Sequence, residues 1–323
     1  MSLTEYATNL ARKRRATEED LAMYRQLEGG RGAVVEGEEV FILDPEEEDD
    51  HLDTLEQEAS EEDNPFWDFD NNAPENAAAL PDSVDHRPFQ TSIKNQDFRG
   101  TCVCFASLAN LEAILKRQQN KDYDLSEQYA NWLYMRMQSR NQCDDGLRTT
   151  LAARYLSQYG VCEESYASYE TRSQVELHCN ASPSNNAKNN AKYGIDSYTL
   201  IDRLGFNGPS IANPDYLEKL LYEGYDVTFG THVAWGRPDS NGVYDVILDR
   251  FGNPLRSRGG HAMLIVGYNR VPETPIPYFI CKNSWGAARG VSGYYYLSYD
   301  YIRTYAKYGY IVTQMSTSKS GTP

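Results

Sequence analysis

Gln96-Asp97-Phe98-Arg99-Gly100-Thr101-Cys102 decides how this chain is read. A side-chain amide stands six residues ahead of a cysteine, and Gly100 and Thr101 allow a tight turn between them. Far downstream lie Gly259-Gly260-His261-Ala262 and Lys282-Asn283-Ser284-Trp285-Gly286. Together these stretches hold what a thiol nucleophile needs to open an amide. Cys102 attacks, and His261 takes and returns the proton. Asn283 orients the imidazole, and Gln96 hydrogen-bonds the developing oxyanion.

The apolar spacing after Cys102 predicts a helix to about Gln119. Phe105, Leu108, Leu111, Ile114 and Leu115 recur at steps of three and four. Cys102 therefore opens a helix, where the dipole favours an anion. That matters because an ordinary thiol titrates at about 8.5 and is mostly protonated at neutral pH. Cys104, two positions on, points to another side of the helix and reads with Cys281 as a buried small hydrophobe. Of the five histidines, His51 falls in an acidic run, His86 precedes the nucleophile, and His178 and His232 lack a comparable flank. His261 alone follows Gly-Gly and precedes an apolar strand, Ala262 to Val266.

Charge divides the chain. Residues 1–78 carry 23 acidic and 6 basic residues, whereas the remainder carries 24 acidic and 25 basic. The net −16 thus belongs to the N-terminal stretch, and a nucleic-acid partner is disfavoured for want of a basic surface. Arg12-Lys13-Arg14-Arg15 reads as a solvated helix face. No apolar run reaches membrane-spanning length, and no secretory signal is visible, so a cytoplasmic location or a non-classical export route is expected. No cysteine pair has CxxC spacing, which disfavours zinc. Cys143, Cys162 and Cys179 could supply one disulfide, with reduced thiols an equal alternative.

Three segments follow. Residues 1–79 read as an extension: a helix from Thr17 through Leu27, a hairpin from Ala33-Val34-Val35 and Val40 to Leu43, an acidic linker over 44–63, and an aromatic patch of Phe66, Trp67 and Phe69. Residues 80–315 form the main domain. Further helices start at Leu125-Ser126-Glu127-Gln128 and after Asp145-Gly146, and short β-rich runs follow residue 195. Residues 316–323 read as a flexible tail.

The order Gln96, Cys102, His261, Asn283, with these flanks and the start Leu80-Pro81-Asp82-Ser83-Val84-Asp85, resembles the papain-like cysteine peptidases, its bacterial members most. The resemblance implies an α+β fold of two lobes, one helical and one β-barrel-like, with the cleft between them. It implies a peptide or protein substrate, an endopeptidase mechanism through an acyl-enzyme, and no metal or organic cofactor. A monomer is expected, without a nucleic-acid or membrane partner, its own extension blocking the cleft. Gly146, Leu147, Ala262 and Trp285 stand where the family meets its substrate, and Trp285 also shields the histidine–asparagine bond. The sequence departs from the family at Val103, usually aromatic. It departs at Arg99 too, usually a cysteine bridged to the place held by Cys143. Arg148 reads as a surface residue. Alternatives are an isopeptidase or acyltransferase using the same residues, and a peptide-binding protein that does not cut.

Overall fold

In a computed structural model, the described residues are Lys13, 33–36, 39–42, 80–143, 146–203, 210–234, 236–255 and 259–323. The expected helix near Leu21, the acidic linker and the aromatic patch lie outside them. The expected hairpin is present: β1 (Ala33–Glu36) pairs antiparallel with β2 (Glu39–Ile42).

The main domain begins with β3 (Ser83–Asp85) and then α1 (Cys102–Gln119), α2 (Glu127–Met137) and α3 (Thr149–Gln158). Next come β4 (Gly194–Ile201), α4 (Pro214–Tyr222), β5 (Val227–His232) and β6 (Val243–Tyr244). The chain closes with β7 (Gly260–Asn269), β8 (Tyr278–Lys282), β9 (Tyr294–Ser298), α5 (Tyr299–Tyr305) and β10 (Ala306–Ser316). The strands form one sheet in the order β4-β10-β5-β7-β8-β9-β6, with β3 added to β7. All its pairings are antiparallel except β6 with β9.

Local chemistry sets the helix limits. Ser126 caps α2 by accepting from the Tyr129 N–H, and Asn120 ends α1 in the left-handed conformation, its N–H on Lys116 O. Two large cores result. One packs α1, α2 and α3 around Leu108, Leu111, Tyr129, Leu133 and Leu156. The other packs α4 and α5 with the sheet through Phe229, Met263, Ile265, Tyr268, Phe279 and Leu297. The expected α+β class therefore holds. The sheet is shared, however, since Ile195 of β4 and Tyr310 and Val312 of β10 belong to the helical core.

Helix α1 differs from the amphipathic pattern expected of it. Every residue from Cys102 to Ala113 is buried, on all sides. The reason is position: α1 has the helical core on one flank and β7 on the other, where Ala109 joins Leu264 and Val266. Two of its polar residues, Asn110 and Glu112, are consequently paired inside. Asn110 donates to Thr228 Oγ1 at 3.0 Å, and Glu112, 1% exposed, meets three partners. Glu112 Oε1 accepts from Lys94 Nζ and the Leu125 N–H, both at 2.8 Å, and Oε2 accepts from Thr91 Oγ1 at 2.5 Å. Lys94 also reaches Glu127 at 2.8 Å and Asp124 at 2.7 Å, while Lys282 of β8 donates to Thr91 O at 3.0 Å. A second buried carboxylate, Asp226, receives Arg117 Nη2 and His86 at 2.7 Å and Gln90 at 2.9 Å.

The segment 316–323, expected as a flexible tail, is bonded to the domain at 319–321: Gly160 N–H donates to Ser320 O at 2.8 Å, Lys319 N–H to Lys192 O at 3.0 Å, and the Tyr129 hydroxyl to Gly321 O. These main-chain groups are satisfied within the protein rather than by water.

Removing Lys94 leaves two carboxylates buried without their shared cation. Lys94→Met should destabilise the fold by about 3–5 kcal/mol in chemical denaturation at pH 7. Burial pushes the Glu127 carboxyl up against the pull of Lys94. Its folded pKa lies above the unfolded value, so the folded state binds the extra proton, and the variant's deficit should shrink as pH falls.

Candidate active site

The loop before α1 runs antiparallel to the loop after β8. Gln96 N–H donates to Ser284 O at 2.8 Å and Gly286 N–H to Lys94 O at 3.0 Å, with a bridge between Asn95 and Trp285. This pairing brings Gln96 to the Asn283 loop although 187 residues separate the two positions. The Gln96 amide is then fixed at both ends: Oε1 accepts from Ser284 Oγ at 2.5 Å, and Nε2 donates to Arg99 O at 2.7 Å.

Cys102 is the first residue of α1, after Thr101 at the cap. His261 stands one residue into β7, the strand against which α1 packs, and Ala262 shares a core cluster with Cys102. His261 Nε2 lies 2.7 Å from Asn283 Oδ1. The same oxygen accepts from the Ser284 N–H at 2.8 Å, which identifies it as the carbonyl end of the amide. Nε2 therefore carries the hydrogen, and Nδ1 holds the lone pair. Nδ1 is buried with no hydrogen-bond partner among the described residues. Trp285 stacks on the imidazole with centroids 4.6 Å apart and abuts Tyr295 edge-on.

Gln96, Cys102, His261 and Asn283 are all buried, at 0, 0, 2 and 4% exposure. Burial drives the His261 pKa down to about 4, against the upward pull of the Asn283 hydrogen bond. An imidazolium here thus needs an anion beside it.

Residues 80–313 match the family model described as papain family cysteine protease. The chain belongs to that family. A viral cathepsin of Cydia pomonella granulosis virus is 28% identical over 69% of this chain. The match spans 59% of that relative's length, so less than two thirds of it is represented. Xylellain, a cysteine protease from Xylella fastidiosa, superposes with a TM-score of 0.58 at 25% identity, covering 73% of this chain and 87% of that one. Digestive procathepsin L 3 of Tenebrio molitor larval midgut shares the fold, with a TM-score of 0.52 at 24% identity, covering 72% and 71%.

Within this papain-family chain, the remaining expected residues are distributed as follows. Gly146 has φ +89°, a conformation that L side chains rarely adopt. Its N–H donates to Gly100 O at 3.0 Å, next to the turn before Cys102, and its carbonyl accepts from Arg140 at 3.0 Å. Leu147 is buried beside it in the helical core. Arg148, expected at the surface, is 8% exposed and stands at the position just before α3. Cys143 pairs with Cys179, one of the pairings left open by the sequence, while Cys102, Cys104, Cys162 and Cys281 remain thiols.

The structure adds the contacts of Arg99, noted in the sequence as a departure from the family, and a residue without a sequence signal, Tyr169. Arg99, wholly buried, donates to Gln128 Oε1 and Glu170 O at 2.7 Å and lies 4.9 Å over the Tyr169 ring. Tyr169 in turn hydrogen-bonds Gln96 O and Thr101 Oγ1, both at 2.7 Å, and meets Phe105 edge-on. One phenol thus pins both ends of the Gln96–Cys102 loop. No local signal marks Tyr169, since it lies 67 residues beyond the cysteine.

Tyr169→Phe keeps the ring under Arg99 but strands the Gln96 carbonyl and the Thr101 hydroxyl. The variant should lose about 1–3 kcal/mol of stability in denaturant titration. A neutral result would mean the loop holds its shape without this hydroxyl.

Proposed function

We propose that the chain is a cysteine endopeptidase in which Cys102 is the nucleophile and His261 the general base and acid. The observation that carries this reading is the tautomer imposed on His261. Asn283 claims Nε2, leaving a buried lone pair at Nδ1 on the strand that packs against the helix opened by Cys102.

In this reading the Cys102 proton passes to His261 Nδ1, and the thiolate adds to the scissile carbonyl carbon. The helix dipole and the adjacent imidazolium favour the anion. Charge developing on the carbonyl oxygen is met by the Cys102 backbone N–H and a hydrogen of Gln96 Nε2, each such donor contributing about 3 kcal/mol. The C–N bond breaks, and the leaving amine takes the proton from Nδ1. Water, deprotonated by the same nitrogen, then hydrolyses the thioester and restores the thiol. Leu147, Ala262 and Trp285 form apolar walls along the peptide. Gly146 offers the peptide the second lone pair of its carbonyl, since Arg140 already meets that oxygen and the Gly146 N–H donates to Gly100 O.

Residues 1–79 act as a restraining extension in this reading. Position supports it, because the stretch precedes the region matched by the family model, which begins at residue 80.

An epoxide inactivator selective for activated thiolates should label the full chain once, on Cys102, and a chain starting at Leu80 faster. Label should vanish in His261→Ala. Label on Cys104, or none on either chain, would sink the assignment in favour of a peptide-binding protein. The histidine also makes a separate prediction. In Cys102→Ala, NMR titration should find His261 neutral down to about pH 4, below the ordinary 6.5. With the thiol present, protonation should begin at higher pH, since a thiolate stabilises the imidazolium.

A further inference from the structure

Of residues 1–32, the structure describes Lys13, and Lys13 is not solvated as its basic tetrapeptide led us to expect. Its ammonium lies 2.7 Å from Asp245 and 2.7 Å from Asp300, with 15% of the side chain exposed. Asp245 follows β6, and Asp300 sits in the first turn of α5. Carboxylates brought this close repel unless a cation stands between them.

The fold prepares both acids for that cation. Asp245 Oδ1 accepts from Ser298 Oγ at 2.5 Å and from the Val246 N–H at 2.8 Å. Asp300 Oδ1 accepts from Arg303 at 2.9 Å. Each carboxylate is oriented through one oxygen and offers the other, Oδ2, to Lys13. The surrounding cavity, about 610 Å³, is also lined by Arg237, Asp239 and Arg303. Without Lys13 its charged walls are three carboxylates and two guanidiniums, so the lysine balances the charge. Burial lowers the Lys13 pKa, but the two carboxylates outweigh it and raise the value above the ordinary range. None of Gln96, Cys102, His261 or Asn283 is among the residues lining this cavity.

We propose that Asp245 and Asp300 form an amine-docking site, separate from the Cys102 site, whose occupant is Lys13 of the chain's own N-terminal stretch. Two oxygens converging on one point suit a compact ammonium better than a planar guanidinium. Lys13 is the one lysine of the tetrapeptide Arg12-Lys13-Arg14-Arg15. The site tethers the stretch to the β9–α5 face, whether or not Cys102 cuts peptides. The ions are partly exposed, so added salt loosens the tether.

A zero-length carbodiimide, which joins amines to carboxylates in contact, tests this on the full chain. Mass spectrometry should find Lys13 joined to Asp245 or Asp300. The Lys319–Asp196 pair, at 3.0 Å, reports that coupling has worked. Lys13→Glu should abolish the Lys13-site cross-link, and combining it with Asp300→Lys should restore one between the same two positions. Coupling of Lys319 to Asp196 with position 13 unlinked, or linked elsewhere, would overturn the proposal. So would failure of the double substitution to restore the link.

Discussion

Glu112 is the point on which the site depends. A carboxylate with 1% exposure has lost its water and has to be satisfied by the protein. Its partners come from everything that meets there: Lys94 and Thr91 from the entering chain, the Leu125 N–H ahead of α2, and, through Thr91, Lys282 of β8. Satisfying one buried charge therefore fixes the helix that begins at Cys102 against the strand that ends just before Asn283. Lys282 shares the strain of that arrangement, since burial lowers its pKa to about 8.

The loop between Gln96 and Cys102 is held by different means from those the family resemblance implied. A large buried cation replaces the usual cysteine at Arg99, and the chain accommodates it by surrounding the guanidinium with carbonyls and an aromatic face. Arg99, Tyr169, Thr101 and Gln96 then form a closed circuit of contacts around the turn. The disulfide moves accordingly, to Cys143 and Cys179, on the segment whose Gln142 carbonyl also faces Arg99.

His261 sits where a proton is hard to hold. In a closed, apolar setting an isolated imidazole stays neutral, and the orientation by Asn283 only partly offsets burial. In the proposed mechanism, charge separation between the Cys102 sulfur and the His261 nitrogen becomes favourable because each ion has the other as its counterpart. Trp285 stacks over the imidazole that Asn283 orients.

The sequence by itself determined the helix from Cys102, the helix start at Leu125-Ser126, the β7 and β9 runs and the N-terminal hairpin, and it nominated the set Gln96, Cys102, His261 and Asn283 on which the proposed function rests. These rest on local spacing, flanking glycines and a recognisable order, all of which are carried by near neighbours in the chain. Only the tertiary structure decided what depends on meetings between distant residues. It buried α1 on every side because a second layer, β7, lies where periodicity predicted solvent. It chose Cys179 for Cys143, brought Tyr169 beneath Arg99, tied the last residues to Gly160 and Lys192, and set Lys13 between Asp245 and Asp300. Pairing of that kind follows from which surfaces the packed cores bring together, and composition and spacing hold no record of it.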